Sequence, residues 1–270
     1  MLSRGFATVG YDLLRNPKSV NNFELLRVEN LSFAFSGLQA LSSVGLSVHR
    51  QEVVGIVGSN GSGKTTLFNL ISRFYKPQAG TIFFDGKDVT RLDSHEVSCA
   101  GVARSFQTPR LFDGLTVAEN VEIALRGLVG RRGVLAALRQ RRMESPTIVN
   151  PLLESLQLIE MRERLAAELS YGMRRRLELA RCLALEPKLL LLDEPAAGLN
   201  SHESEELVDT LLGLRSKLGV SMVVIDHDML FIQRVCDRII VLNRGVVVAE
   251  GDFQTIFSNQ ATAGTYLGRN

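Results

Sequence analysis

The sequence has no uninterrupted apolar run approaching the roughly 20 residues that span a bilayer, so any membrane crossing must be made by another chain. Its three cysteines, Cys99, Cys182 and Cys236, are scattered and odd in number, which excludes paired metal or redox spacings and fits inert thiols in a reducing cytoplasm. Neither sign of charge dominates: 31 Lys and Arg against 29 Asp and Glu leave a formal net charge of +2, with no general pull toward nucleic acid or an acidic membrane surface. Internal repeats and low-complexity segments are missing as well. Residues 1–22 contain Arg4, Arg15 and Lys18 but lack the compact apolar core and cleavage site of a secretory signal. Residues 1–23 therefore read as an N-terminal extension, a disordered tail or an amphipathic docking segment, ahead of one domain over 24–270.

What remains is a chain of 270 residues with 45% hydrophobic side chains, enough to bury a sizeable core. From Glu24 onward, β-like runs alternate with helical stretches, the pattern of an α/β fold with a mostly parallel sheet. The strand candidates are Val53–Val57, Thr81–Phe84, Val102–Phe106, Leu189–Leu192, Val220–Ile225 and Arg238–Leu242. Asn243-Arg244-Gly245 between Val-rich runs reads as a hairpin turn, adding an antiparallel β element. Between about 108 and 181 the periodicity is helical, which predicts an inserted helical subdomain; it includes the basic stretch Arg131–Arg142, read as a solvated helix face. About 251–270 forms a C-terminal tail.

Chemistry enters at Gly58-Ser59-Asn60-Gly61-Ser62-Gly63-Lys64-Thr65, which follows the strand Val53–Val57 and opens a helical run at Thr66. This is the context a P-loop requires: glycines let backbone N–H groups face phosphate, the helix N-terminus adds partial positive charge, and Lys64 adds a full one. The Thr65 hydroxyl suits Mg²⁺, a hard cation that prefers oxygen. A second half-site ends the run Leu189–Leu192, where Asp193 is placed to serve the metal and Glu194 to accept a proton from, or orient, an attacking water.

The order of motifs resembles that of ABC ATPases, from about Glu24 to the C-terminus. Leu169-Ser170-Tyr171-Gly172-Met173, followed by a helical run, is similar to the signature sequence that sets this family apart from other P-loop enzymes. The resemblance implies an α/β P-loop NTPase core carrying an antiparallel β subdomain and the inserted helical subdomain, with ATP and Mg²⁺ as ligands. It implies further that Gln107 is the Q-loop residue sensing metal and γ-phosphate, that His227 is the switch histidine, and that Ala197–Asn200 is the D-loop. Phe35 is placed to stack on adenine, with Phe33 a close competitor. Phosphate and metal contacts then fall on 58–66, Gln107 and Asp193, with Thr65, Gln107 and Asp193 toward Mg²⁺. Ser170 and Gly172 serve a second cassette in trans across a head-to-tail dimer, with Arg174–Arg176 strengthening the positive field there.

Two positions depart from the commonest signature: Tyr171 and Met173 stand where Gly and Gln are usual, which leaves a heterodimer with one stronger site open. Arg104-Ser105-Phe106-Gln107-Thr108, Ile225-Asp226-His227-Asp228-Met229 and Tyr266-Leu267-Gly268 are similar to ATPases of branched-chain amino-acid importers. Such systems pair two ATPases with two permeases and a substrate-binding protein, which puts this chain at the cytoplasmic face of the membrane. Urea or amide importers and the ATPase of lipopolysaccharide export are the alternatives within transport. A non-transport ABC protein would show long coiled coils or tandem cassettes, and a regulatory subunit without turnover is opposed by Glu194 and His227.

Overall fold

The computed structural model describes residues 23–131 and 146–258. The extension over 1–22, most of the basic stretch Arg131–Arg142 and the last part of the C-terminal tail lie outside the described residues. Within them, contacts divide the chain into two compact units, one of 23–107, 188–197 and 207–258, the other of 108–131, 146–187 and 198–206.

The first unit contains two sheets. Six strands take the order β10-β9-β3-β8-β7-β6: β3 (Val53–Val57), β6 (Val102–Arg104), β7 (Leu189–Asp193), β8 (Ser221–Ile225), β9 (Arg238–Asn243) and β10 (Val246–Gly251). All neighbours are parallel except β9 and β10, which form the hairpin expected at Asn243–Gly245. Every residue of β3, β7 and β8 is buried. That is what a parallel strand covered on both faces demands, and it is why these three read as continuous apolar runs.

The other sheet is antiparallel, β2-β1-β4-β5, from β1 (Glu24–Phe35), β2 (Leu38–His49), β4 (Ala79–Phe84) and β5 (Lys87–Asp88). Of these, only the Thr81–Phe84 part stood among the sequence candidates. The two long strands escape because their burial alternates irregularly and their pairing shifts register repeatedly, so no run of one period survives. Both sheets feed a shared core that includes Leu26, Leu41, Ile56, Leu67, Phe68, Ile82 and Val223. Helix α1 (Lys64–Ile71) contributes Leu67, Phe68, Leu70 and Ile71 to burial, while α2 (Ser94–Ala100) opens on a reciprocal capping box between Asp93 and Glu96.

The described helices of the second unit are α3 (Val117–Arg131), α4 (Pro146–Ser155) and α5 (Tyr171–Leu183), with two short 3₁₀ turns between the last two. An isolated bridge, Thr116 to Leu165, is the one piece of β pairing among its described residues. Fully buried Asn120 braces the entry to this unit, accepting the Phe112 N–H at 2.9 Å and donating to the Phe112 and Thr116 carbonyls at 3.0 Å each. The remaining helices are α6 (Ser201–Leu218), α7 (Met229–Val235) and α8 (Phe253–Ser258).

Candidate functional site

Parallel strands in register place their carboxyl ends side by side, and open α/β sheets bind ligands there. In the first unit those ends deliver the predicted residues together: β3 runs into 58–65, β6 leads to Gln107, β7 ends at Asp193 and Glu194, and β8 precedes His227.

The loop after β3 is shaped for a ligand approached by backbone. Gly63 has φ of 106°, and a Cβ there would lie 2.6 Å from Leu41 Cδ2 and 2.7 Å from the Ala40 carbonyl oxygen, so neither conformation nor space admits a side chain. The first intrahelical bond of α1 runs from the Leu67 N–H to the Gly63 carbonyl at 2.8 Å. The N–H groups of Lys64, Thr65 and Thr66 are thus the unsatisfied first turn that makes a helix start attractive to anions. Ser62 Oγ is buried without a hydrogen-bond partner. Lys64 is buried to 7% exposure and folds its amine back over the loop, donating to Gly58 O at 2.7 Å and Ser59 O at 3.0 Å. Burial lowers its pKa, with the Glu194 and Asp193 carboxylates opposing that shift.

Glu194 is gripped from two sides. Gln107 Nε2 donates to Glu194 Oε2 at 2.9 Å, and His227 Nε2 lies 3.3 Å from Glu194 Oε1. The Glu194 backbone sits at φ 50°, a region non-glycine residues seldom occupy, and its N–H is held by the Ile225 carbonyl at 2.7 Å. The residues expected to face a metal, Thr65, Asp193 and Gln107, offer a hydroxyl, a carboxylate and an amide, and among the described residues there is no group of three or more His, Cys, Asp or Glu that could hold an ion unaided. Hard oxygen donors in such small number fit Mg²⁺ that shares its shell with phosphate and water.

Phe35 is 44% exposed, whereas Phe33 packs against the core. The two rings meet edge-on at 4.8 Å, and Tyr75 stacks on Phe33 at 5.4 Å and lies edge-on to Phe35 at 5.5 Å. Phe35 therefore presents the free aromatic face, and Tyr75 is a neighbour that no motif pointed to.

In the helical unit, Ser170 caps α5, its Oγ accepting the Met173 N–H at 3.4 Å. Gly172 faces Glu203, and a Cβ there would come within 2.8 Å of its Oε1. Tyr171 spreads its ring against Gly198, where a Cβ would stand 2.9 Å from Tyr171 Cε1, so the signature and the D-loop touch through this side chain. Asn200 caps α6 reciprocally: its Oδ1 accepts the Glu203 N–H and Glu203 Oε2 accepts the Asn200 N–H, each at 3.0 Å.

One expectation needs correction here. Arg174–Arg176 do not add open positive charge at the α5 N-terminus, because each is paired: Arg174 with Asp113 at 2.7 Å, Arg175 with Glu178 at 3.6 Å, and Arg176 with Glu206. A second concerns the strand Val102–Phe106, which ends at Arg104. Ser105 Oγ instead accepts the Asp193 N–H at 3.3 Å, and Phe106 packs edge-on against Phe74.

Sequence reasoning assigned no role to Arg104. With its side chain 6% exposed, it meets Asp193 Oδ2 at 3.0 Å, Asn69 Oδ1 at 2.7 Å and Ser72 Oγ at 3.1 Å, its guanidinium against the rings of Phe68, Phe74 and Phe106. A basic residue inside an otherwise apolar strand was the available signal.

None of the described helices is long and apolar enough to cross a membrane. The family model described as ABC transporter matches residues 41–197. The chain is 38% identical to the high-affinity branched-chain amino acid transport ATP-binding protein BraF of Pseudomonas aeruginosa, over 90% of this chain and 98% of the relative. Among solved structures it is similar to the ADP conformation of MJ1267, an ATP-binding cassette of an ABC transporter, with TM-score 0.79, 31% identity and 91% and 99% of the two chains covered. It also resembles the dimeric post-hydrolysis state of the cassette MJ0796 bound to ADP and Pi, with TM-score 0.72, 28% identity and coverage of 84% and 98%. Site geometry and likeness agree: the chain belongs to the ABC transporter family, as one of its nucleotide-binding, ATP-hydrolysing subunits.

Proposed function

We propose that this chain drives an importer of branched-chain or other neutral amino acids, working at the cytoplasmic face of the membrane on separate permease subunits. The observation that carries the chemistry is the Glu194 carboxylate held between Gln107 and His227 on the strand ends that also present the P-loop. In this reading residues 58–66 wrap the phosphates, and Lys64 moves its amine from the Gly58 and Ser59 carbonyls onto the β and γ oxygens. Phe35 stacks on the adenine. Thr65, Asp193 and Gln107 would hold Mg²⁺, which would supply positive charge against the transferring phosphoryl group. Glu194 takes the proton of the attacking water, and His227 orients both.

Ser170 and the Gly172 backbone meet the nucleotide of a second cassette, as in a head-to-tail dimer, for which the dimeric likeness of MJ0796 is the support. ATP then favours the closed pair because its γ-phosphate contacts both protomers and ADP cannot. The amino-acid cargo rests on the likeness to BraF. Two experiments test the reading. Lys64→Ala is expected to weaken ATP binding by an order of magnitude or more, roughly the worth of a charge-assisted contact to phosphate, and unchanged affinity refutes the phosphate cradle. Deletion of the gene is expected to abolish uptake of radiolabelled leucine or isoleucine; normal uptake of both refutes the cargo.

A further inference from the structure

Asp226 lies immediately beyond β8, is 4% exposed and has no part in the mechanism above. A buried carboxylate needs compensation, and this one receives three backbone donors: Oδ2 accepts the Ala196 N–H at 2.9 Å, and Oδ1 accepts the N–H of His227 at 2.7 Å and of Asp228 at 3.0 Å. The donors come from two different turns. Ala196 belongs to the turn that follows Glu194, and His227 opens the turn leading into α7.

We propose that Asp226 is a positioning residue for ATP hydrolysis, tying the turn behind Glu194 to the turn that carries His227 and thereby setting the distance between carboxylate and imidazole. This rests on the assignment of Glu194 and His227 made above.

The local topology supports it. β7 and β8 are adjacent and parallel, with Asp193 opposite Ile225, so Glu194 and Asp226 leave the sheet side by side. The Glu194 turn is stapled to β8 at two points, its start by the Glu194 N–H on the Ile225 carbonyl and its end by the Ala196 N–H on the Asp226 carboxylate. Glu194 occupies φ 50°, and a residue stays in such a region only where its surroundings over-determine it. The second staple is the one made by a side chain, and so the one a mutation can remove. Burial pushes the Asp226 carboxyl above its usual range while the three N–H groups pull it back, which marks a group kept in place against a desolvation cost.

Asp226→Asn keeps the shape and one carbonyl acceptor for His227 and Asp228, but turns an NH₂ toward the Ala196 N–H. The expected result for the purified full-length chain is a fall in kcat of roughly 10–100-fold, the scale set by a misplacement of about 1 Å, with ATP affinity and KM little changed. A kcat within about twofold of the unaltered chain, or a loss spread equally over affinity and turnover, overturns the proposal. Glu194→Gln is measured alongside. If it is inactive while Asp226→Asn is normal, the tie alone fails; if it hydrolyses normally, the role of Glu194 fails and carries this inference with it. Should Asp226→Asn not fold, amide exchange in the unaltered chain decides: Ala196 and His227 exchanging together in one slow class supports the tie, and Ala196 exchanging far faster than His227 overturns it.

Discussion

Replacing Arg104 by methionine tests whether the Asp193 carboxylate is held by an internal counter-charge. The Arg104 and Asp193 side chains are each 6% exposed and meet at 3.0 Å, so the substitution takes a guanidinium away from a desolvated carboxylate. Breaking a buried pair from one side costs about 3–5 kcal/mol, far more than the pair contributes relative to an apolar isostere. The bonds to Asn69 and Ser72 are lost too, although Ser72 Oγ keeps its own bond to the Phe68 carbonyl at 2.6 Å. In the other direction, the thioether enters a space lined by Phe68, Phe74 and Phe106, where sulfur–aromatic contacts return about 0.3–1.5 kcal/mol each. The net expectation is a loss of about 3 kcal/mol, read as a fall of about 6–12 °C in the melting temperature for a chain of this size. Adding Asp193→Asn removes the carboxylate charge that Arg104 faced and is expected to recover part of that loss, a non-additivity a double-mutant cycle measures directly. A single-mutant loss below about 1 kcal/mol, or strict additivity with Asp193→Asn, refutes the reasoning.

The pair of Glu52 and Arg238 makes a prediction about pH. Burial alone raises the Glu52 pKa, but the Arg238 hydrogen bonds at 2.8 and 3.2 Å, the His49 N–H at 2.7 Å and the Arg238 charge outweigh it and hold the carboxyl below its ordinary 4.5. A depressed folded pKa means stability present above that ordinary value and lost as pH falls through the lower one. Glu52→Gln is expected to cost about 1–3 kcal/mol at pH 7, with the gap closing on acidification; denaturant melts along a pH series that show a gap independent of pH contradict it. Phe35→Ala is expected to weaken ATP binding by about 0.5–1.5 kcal/mol, with Phe35→Tyr retaining it, since stacking needs only an aromatic face. Equal affinities of the alanine and tyrosine variants in fluorescence titrations transfer the role to another ring, with Tyr75 next in line.

Burial explains which parts of this molecule the sequence made legible. β3, β7 and β8 stand out because both faces are covered, so Val53–Val57 and Leu189–Leu192 contain almost nothing but apolar residues. The phosphate loop and the carboxylates at Asp193 and Glu194 follow because they sit at the ends of those runs. β1 and β2 were illegible for the opposite reason: Glu24, Arg27, Glu29 and Asn30 face solvent, and register shifts break the alternation a period-two reading needs. Polar partnerships distant in sequence were hidden too. That Arg174 would find Asp113, that Arg104 would find Asp193 and that Asp226 would collect N–H groups from two turns depend on tertiary neighbours that no spacing along the chain encodes.

The account rests on ATP being hydrolysed at Glu194 while held between two cassettes, and sedimentation of the Glu194→Gln chain with ATP and Mg²⁺ addresses both halves at once. The predicted result is ATP-dependent association of cassettes that persists because no ADP forms, and that does not occur with ADP. Rapid ADP formation by this variant, or a sedimentation rate indifferent to which nucleotide is present, would contradict it.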